Sequence, residues 1–154
     1  MVPRIVTPFY PIPSRLPINV LLMTPDSTIY PCKNLPAADR FVFLIHDHPT
    51  PHCDILLQEG GRLLSWSGEP GCHCRTGAAV VQRPDHRLLY LDYEGPVSEN
   101  RGQVVRIDGG NLTWIDCSPE LVRVNLQGKH HQGVLELKRT EGLRWIVAWE
   151  PFVK

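Results

Sequence analysis

Residues 41–66 of the chain read FVFLIHDHPTPHCDILLQEGGRLLSW. The stretch opens on an unbroken apolar run at residues 41–45, which is typical of a β-strand buried on both faces. Two further apolar runs, at residues 55–57 and 62–66, flank the turn sequence at residues 59–61, and this pattern predicts a β-hairpin. Short strands joined by tight turns therefore predict a β-fold from this stretch alone.

The same pattern continues to the end of the chain. Alternating bulky and polar residues predict strands near residues 78–81, 88–93, 104–107, 112–115, 122–126, 134–137 and 143–149, with a second hairpin at Gly109-Gly110. Nine or ten short strands predict an all-β domain, and a compact small barrel of mostly antiparallel strands would remove the exposed sheet edges. The four tryptophans, at positions 66, 114, 145 and 149, fall in predicted strands and are expected to pack in the core.

The N-terminal part of the chain has a different composition. Residues 1–40 carry eight of the fifteen prolines, and proline fixes φ and removes a backbone donor. We therefore expect a Pro-rich N-terminal arm at residues 1–40, in which residues 18–23 could add one edge strand, and a barrel domain at residues 41–154.

Charge and cysteine content limit the function classes. Sixteen basic and sixteen acidic residues give a net charge of zero, so the basic surplus typical of nucleic-acid binders is missing. A nucleic-acid partner must then be held by a local patch or a site for one strand end. Five cysteines without a repeating framework, and the lack of an apolar signal segment, predict a cytoplasmic protein with no membrane partner, which we expect to be a monomer.

The densest group of chemically active residues follows the first strand. Three histidines and two carboxylates lie within nine residues, at His46, Asp47, His48, His52 and Asp54. His52 and Asp54 are two apart, so in an extended segment they share one face, and the bend between prolines can fold His46 back towards them. Imidazole and carboxylate suit Zn²⁺, Mn²⁺ or Fe²⁺. The alternative is that these histidines lie on a polar surface loop and bind nothing.

Other candidate residues are weaker. His86 and Tyr90 could share one face of a strand, where a histidine can move a proton and a tyrosine can orient an oxyanion. Cys72-His73-Cys74 lacks the usual zinc-ligand spacing, so it is predicted to be a loop with free thiols. His130-His131 is predicted to be a solvated turn.

Taken together, these stretches resemble the 3′-phosphoesterase domain of bacterial DNA ligase D, which also exists as free-standing proteins. The family motif H-D-A-T-R-L-H-Y-D-F-R-L-E is similar to HDHPTPHCDILLQ at residues 46–58. The family pattern D-H-P-L-D-Y-L-D-F-E-G is similar to DHRLLYLDYEG at residues 85–95, and a Gly-rich stretch and a closing strand pattern follow in the same order. The resemblance extends over residues 41–147.

The resemblance implies a β-barrel that trims nucleic-acid 3′ ends for DNA repair by end joining, removing a 3′-phosphate or a terminal ribonucleoside. It implies metal ligation by His46, His52 and Asp54, with Mn²⁺ as the cofactor and Zn²⁺ as the alternative. It assigns His86 to the phosphate and catalytic site and Tyr90 to its support. The expected partner is a DNA 3′ end, with or without a terminal ribonucleotide, and a separate ligase or polymerase could act beside it.

The chain departs from the family at the residues that grip phosphate. Leu56 and Ala78 stand where the family has arginines, and Pro84 stands where it has a glutamate. Loss of charged donors slows phosphoryl transfer, unless Arg75, Arg83 or Arg87 substitutes from nearby. Two alternatives therefore remain. One is a catalytically impaired module that binds metal or DNA ends, and the other is a cupin-like metalloenzyme using His46, His48 and Glu59.

Overall fold

The apolar runs of the sequence form nine β-strands in the computed structural model, which describes residues 39–153. Two short 3-10 segments, Cys72–Cys74 and Leu88–Leu91, interrupt them. The strands are β1 (Asp39–His46), β2 (His52–Glu59), β3 (Arg62–Gly68), β4 (Ala79–His86), β5 (Gly95–Pro96), β6 (Gln103–Cys117), β7 (Leu121–Gly128), β8 (Gln132–Glu141) and β9 (Arg144–Pro151).

Eight of these strands close into a barrel. They follow one another in the order β1-β2-β3-β4-β9-β8-β7-β6, and β6 pairs back with β1, while the two-residue β5 pairs with the first two residues of β6. Every pairing is antiparallel. The predicted all-β barrel is confirmed, and closure leaves the eight barrel strands without a long free edge.

A hydrophobic core lies on each face of the barrel wall, one inside the barrel and one outside it. The interior holds alternate side chains of every barrel strand, including Phe41, Phe43, Trp66 and Trp145, and the four tryptophans are core or packed against it as predicted. A smaller core lies on the outer face, where Leu44 and Leu56 pack beneath Leu91 of the second 3-10 segment. Both faces of β1 are therefore buried, as the apolar run at residues 41–45 predicts.

The outer core explains one wrong prediction. Residues 88–93 were expected to form a strand, but Leu88–Leu91 is a 3-10 segment. Leu88 and Leu91 pack onto the outer face of the barrel, together with Tyr90 and Tyr93. A segment that covers a sheet face does not need the alternating geometry of a strand, although its apolar spacing looks similar in the sequence.

The expected hairpin at Gly109-Gly110 is also wrong, because β6 runs without a break from Gln103 to Cys117. Its first part pairs with β1 and its second part with β7. A Cβ atom on Gly110 would collide with the backbone carbonyl of Gln127 on β7. The two glycines therefore permit close backbone approach inside a long strand rather than a turn.

Strand β1 includes Asp39 and Arg40, which precede the predicted run at residues 41–45. The carboxylate of Asp39 accepts a hydrogen bond from the indole N–H of Trp114 at 3.2 Å. The expected N-terminal arm, with its edge strand at residues 18–23, otherwise lies outside the described residues. Within residues 39–153, no helix has the length and apolar character required to cross a bilayer.

Candidate metal centre

Strands β1 and β2 bring three predicted ligands together on the outer face of the barrel. His46 ends β1 and pairs directly with His52, the first residue of β2. Asp54 lies two residues further along β2, so its side chain points to the same face as that of His52. The candidate ligand atoms of all three residues lie within 4.8 Å of one another.

Hydrogen bonds fix the orientation of the two imidazoles. Nδ1 of His52 donates to the carbonyl of Thr50 at 2.8 Å, which leaves Nε2 facing Asp54 Oδ1 at 3.4 Å. Nε2 of His46 donates to the carbonyl of Arg101 at 2.6 Å, which leaves Nδ1 free to ligate. Backbone carbonyls that hold one ring nitrogen while the other is presented are typical of metal-binding histidines. Two imidazoles and a carboxylate at this spacing fit a divalent transition-metal ion.

Asp54 supplies the one buried charge of the cluster, with 4% of its surface exposed. Burial raises the pKa of its carboxyl group above the ordinary value, and the neighbouring His52, His86, His46 and Arg83 oppose that rise. The carboxylate lies near His46 and His52, each of which presents a free ring nitrogen, and near the positively charged Arg83. The centre is therefore suited to hold a cation together with an anionic ligand.

His86 lies beside this cluster. It ends β4, opposite Leu63 of β3, and its Nδ1 lies 3.2 Å from the carbonyl of Pro84. Its ring meets that of Tyr90 edge-on, with the ring centroids 5.7 Å apart. Tyr90 comes from the 3-10 segment that covers the outer core, so His86 and Tyr90 are brought together although they do not share a strand.

The structure distinguishes the three arginines that could replace the missing ones. Arg83 is exposed on β4 and its charge acts on Asp54. Arg75 instead lies next to Glu69, with its guanidinium 4.0 Å from that carboxylate. For Arg87, nothing in the described contacts places it at the cluster. Leu56 is fully buried in the outer core, and Ala78 faces the barrel interior. Arg83 is thus the arginine that stands by the centre.

Two residues of the cupin-like alternative lie away from the ligands. His48 is exposed in the bend, with its ring centroid 6.4 Å from that of His46. Glu59 lies at the far end of β2, seven residues from His52, a distance of about 24 Å along a strand. Its carboxylate contacts Arg62 at 3.0 Å. The structure does not assemble the cupin ligand set.

Asp47 has a structural role beside the candidate metal centre. Its carboxylate accepts the backbone N–H of Gln103 at 2.8 Å, which joins the end of β1 to the start of β6. A Cβ atom on Gly102 would strike Asp47, and Gly102 has a φ of +74° that side chains rarely adopt. This joint keeps the carbonyl of the adjacent Arg101 against His46.

A second histidine cluster, which the sequence did not predict, lies at one end of the barrel. His131 was expected to be solvated, but it is half-buried and its Nδ1 lies 2.9 Å from a carboxylate oxygen of Asp108. His73, expected to lie in an open loop, is 5% exposed and packs against His131 with ring centroids 4.8 Å apart. Cys72 and Cys74 are free thiols as predicted. No local spacing signals this cluster, because its members come from distant parts of the chain.

Comparison with known proteins finds similarity to proteins named for DNA end joining. It is 30% identical over 119 residues to the multifunctional non-homologous end joining protein LigD of Mycobacterium bovis. The same identity and length hold for the multifunctional non-homologous end joining DNA repair protein LigD of Mycobacterium tuberculosis. Each match covers 70% of this chain and 16% of the relative. The chain is therefore similar to one part of LigD and spans about a sixth of its length. No family model matches the chain.

Proposed function

We propose that this protein is a metal-dependent phosphoesterase-like protein that acts on nucleic-acid 3′ ends in DNA repair. The proposal rests chiefly on the assembly of His46, His52 and Asp54, whose ligand atoms lie within 4.8 Å of one another on an outer face of the barrel. The partial similarity to LigD, which is named as an end-joining repair protein, supports a nucleic-acid substrate.

In this proposal, His46, His52 and Asp54 hold Mn²⁺, with Zn²⁺ as the alternative ion. A bound ion of this kind polarises a phosphoryl oxygen and orients a water molecule. His86 stands next to the ligands and can donate to a phosphate oxygen or deliver a proton near neutral pH. Arg83 supplies positive charge at the same face, and Tyr90 supports the ring of His86.

A strand end suits this surface better than a long duplex. The net charge of the chain is zero, so it lacks the surplus that neutralises many phosphates at once. The positive charge that acts on Asp54 is local and comes from a single arginine, Arg83. Such a site can hold one terminal phosphate, and a separate ligase or polymerase would provide the remaining steps of end joining.

A second candidate function is a non-catalytic module that binds metal or DNA ends. Its support is specific: Leu56 is fully buried under the outer core, so no basic side chain grips phosphate from that position. Ala78 likewise faces the interior and offers no charge. The two candidate functions use the same metal ligands, but only the phosphoesterase hydrolyses a phosphoester substrate.

The deciding experiment measures inorganic phosphate released from a 3′-phosphorylated primer–template in the presence of Mn²⁺. The full chain is compared with His52→Ala, which removes a ligand, and with His48→Ala, a matched histidine in the adjacent bend. We expect release by wild type and His48→Ala, and loss of release in His52→Ala.

Failure to release phosphate from a folded, Mn²⁺-loaded protein would overturn the phosphoesterase assignment. In that case, binding of the same primer–template that requires His52 supports the module. A primer ending in a ribonucleotide tests the second substrate expected from the resemblance.

A further inference from the structure

A second group of metal-ligating side chains lies across one end of the barrel. His73 and Cys74 belong to the 3-10 segment between β3 and β4, and His131 belongs to the turn between β7 and β8. The candidate ligand atoms of these three residues lie within 4.8 Å of one another. We propose that His73, Cys74 and His131 form a second metal site, separate from the outer centre, which binds Zn²⁺ and fastens these two connections together.

His131 is oriented as a metal-binding histidine. Its Nδ1 donates to Asp108 Oδ2 at 2.9 Å, and the side chain of Asp108 is 1% exposed. A carboxylate that holds one nitrogen of an imidazole fixes the tautomer and leaves Nε2 to ligate. The arrangement carboxylate–histidine–metal is common in zinc sites.

Asp108 also fixes the backbone that carries His131. Its carboxylate accepts the backbone N–H groups of Lys129 at 3.0 Å, His130 at 2.9 Å and His131 at 2.7 Å. A buried carboxylate that collects these donors holds the whole turn in one conformation. His131 is therefore presented from a rigid support rather than from a free loop.

His73 is held between aromatic neighbours. Its ring centroid lies 4.7 Å from that of Phe43 and 4.8 Å from that of His131. Its Nδ1 lies 3.5 Å from the thiol sulfur of Cys53, which leaves Nε2 as the second available nitrogen. A buried imidazole whose hydrogen-bond partner in the described contacts is a thiol at 3.5 Å gains a strong partner if a metal ion binds.

Cys74 supplies the third ligand from the solvent side. Its side chain is exposed, and among residues 39–153 its thiol makes a long hydrogen bond of 3.8 Å to the carbonyl of Gly71. Ligands of one tetrahedral zinc ion stand roughly 3.5 Å apart. The three candidate ligand atoms lie within 4.8 Å of one another, so rotation of the exposed Cys74 side chain can bring its sulfur to this spacing.

The donor set selects a different metal from that of the outer centre. Two imidazoles and a thiolate are the ligands of a borderline-soft ion, and zinc accepts this set with a fourth position left for water. The outer centre offers a carboxylate in place of the thiolate, which suits harder ions such as Mn²⁺. One chain would then hold two ions of different chemical character.

Cobalt substitution tests the proposal directly. Reduced, metal-free full-length protein is titrated with Co²⁺, since a cobalt–thiolate bond gives an intense charge-transfer absorption that nitrogen and oxygen ligands do not give. We expect this absorption in wild type, and we expect Zn²⁺ to abolish it by displacement. Cys74→Ser and His131→Gln should lose the absorption. His130→Gln, an exposed neighbour on the same turn, should keep it.

His52→Ala separates this proposal from the proposed function, because it removes an outer ligand and should keep the absorption unchanged. Zn²⁺ should also raise the melting temperature of wild type and His52→Ala, but not that of Cys74→Ser. Cys74 is exposed, so Cys74→Ser should fold, and circular dichroism of the metal-free protein checks this. No charge-transfer absorption in folded wild type, or absorption that survives in Cys74→Ser, would overturn the second site.

Discussion

Cys53 and Asp54 are consecutive residues of β2, and their side chains lie on opposite faces of the barrel wall. The thiol of Cys53 is inside, 3.5 Å from Nδ1 of His73, while the carboxylate of Asp54 is outside, 3.4 Å from Nε2 of His52. Because side chains alternate along a strand, β2 contributes to both histidine clusters. A shift of β2 by one residue would exchange the two faces, so its pairing with β1 and β3 determines both clusters.

Restoring the family arginine at position 56 should harm the protein. Leu56 is fully buried in the outer core beneath Leu91. An arginine there would place a charge among apolar side chains without a partner, so Leu56→Arg should lower the free energy of unfolding by about 3 kcal/mol or more. Urea unfolding monitored by tryptophan fluorescence measures the change.

The control for that substitution is Leu89→Arg. Leu89 belongs to the same covering 3-10 segment but is 43% exposed, so its replacement should change the free energy of unfolding by about 0.5 kcal/mol or less. Equal stability of Leu56→Arg and wild type would show that the outer core opens to solvent, and position 56 would then be able to serve the metal centre.

A single methyl group at Gly110 should destabilise the barrel. A Cβ atom there would collide with the carbonyl of Gln127 and lie 2.9 Å from the Cα atom of Gly128. Since both contacts are backbone atoms of β7, Gly110→Ala should cost about 1–3 kcal/mol. Gly61→Ala, in the β2–β3 turn where no atom lies within 4 Å, is the matched control and should be close to neutral in thermal unfolding.

Loss of the buried carboxylate of Asp108 should lower the free energy of unfolding more than loss of any single methyl group from the core. It accepts backbone N–H groups of the turn at residues 129–131 and the imidazole of His131. Asp108→Ala leaves these part-buried donors without that acceptor, so the free energy of unfolding should fall by about 3 kcal/mol or more. Chemical denaturation of metal-free protein checks this value, and a loss below about 1 kcal/mol would contradict the role assigned to Asp108.

The parts of the molecule that sequence analysis predicted correctly depend on local pattern. The apolar run at residues 41–45 and its hairpin neighbours give β1 to β3, because burial on each face is visible in the alternation. The proximity of His46, His52 and Asp54 was predicted for the same reason: His52 and Asp54 are two apart, and His46 ends the adjoining strand. Their meeting in space needs only one antiparallel pairing, which is His46 with His52.

The parts that sequence analysis missed depend on contacts between distant segments. His73 meets His131 only because the barrel closes, and closure comes from pairing of β1 with β6 and of β4 with β9. The glycines of β6 were mistaken for a turn, since a close approach of β7 leaves no trace in the neighbouring residues. The leucines at residues 88–91 were mistaken for a strand because the outer core they cover is itself a product of the closed barrel.

Arg83 should supply the positive charge at the metal centre, because position 56 holds a leucine in place of the family arginine. It pairs through the sheet with Ser65, two residues before Ser67, which pairs with Asp54, and its charge acts on the Asp54 carboxylate. Removing one charged donor from a phosphoryl-transfer site typically costs about 10²-fold in rate, so Arg83→Ala should slow phosphate release by that factor while metal content stays unchanged. Arg75→Ala is the matched control, because Arg75 lies beside Glu69, and it should release phosphate at the wild-type rate. Equal rates for Arg83→Ala and wild type would assign phosphate binding to the histidines alone.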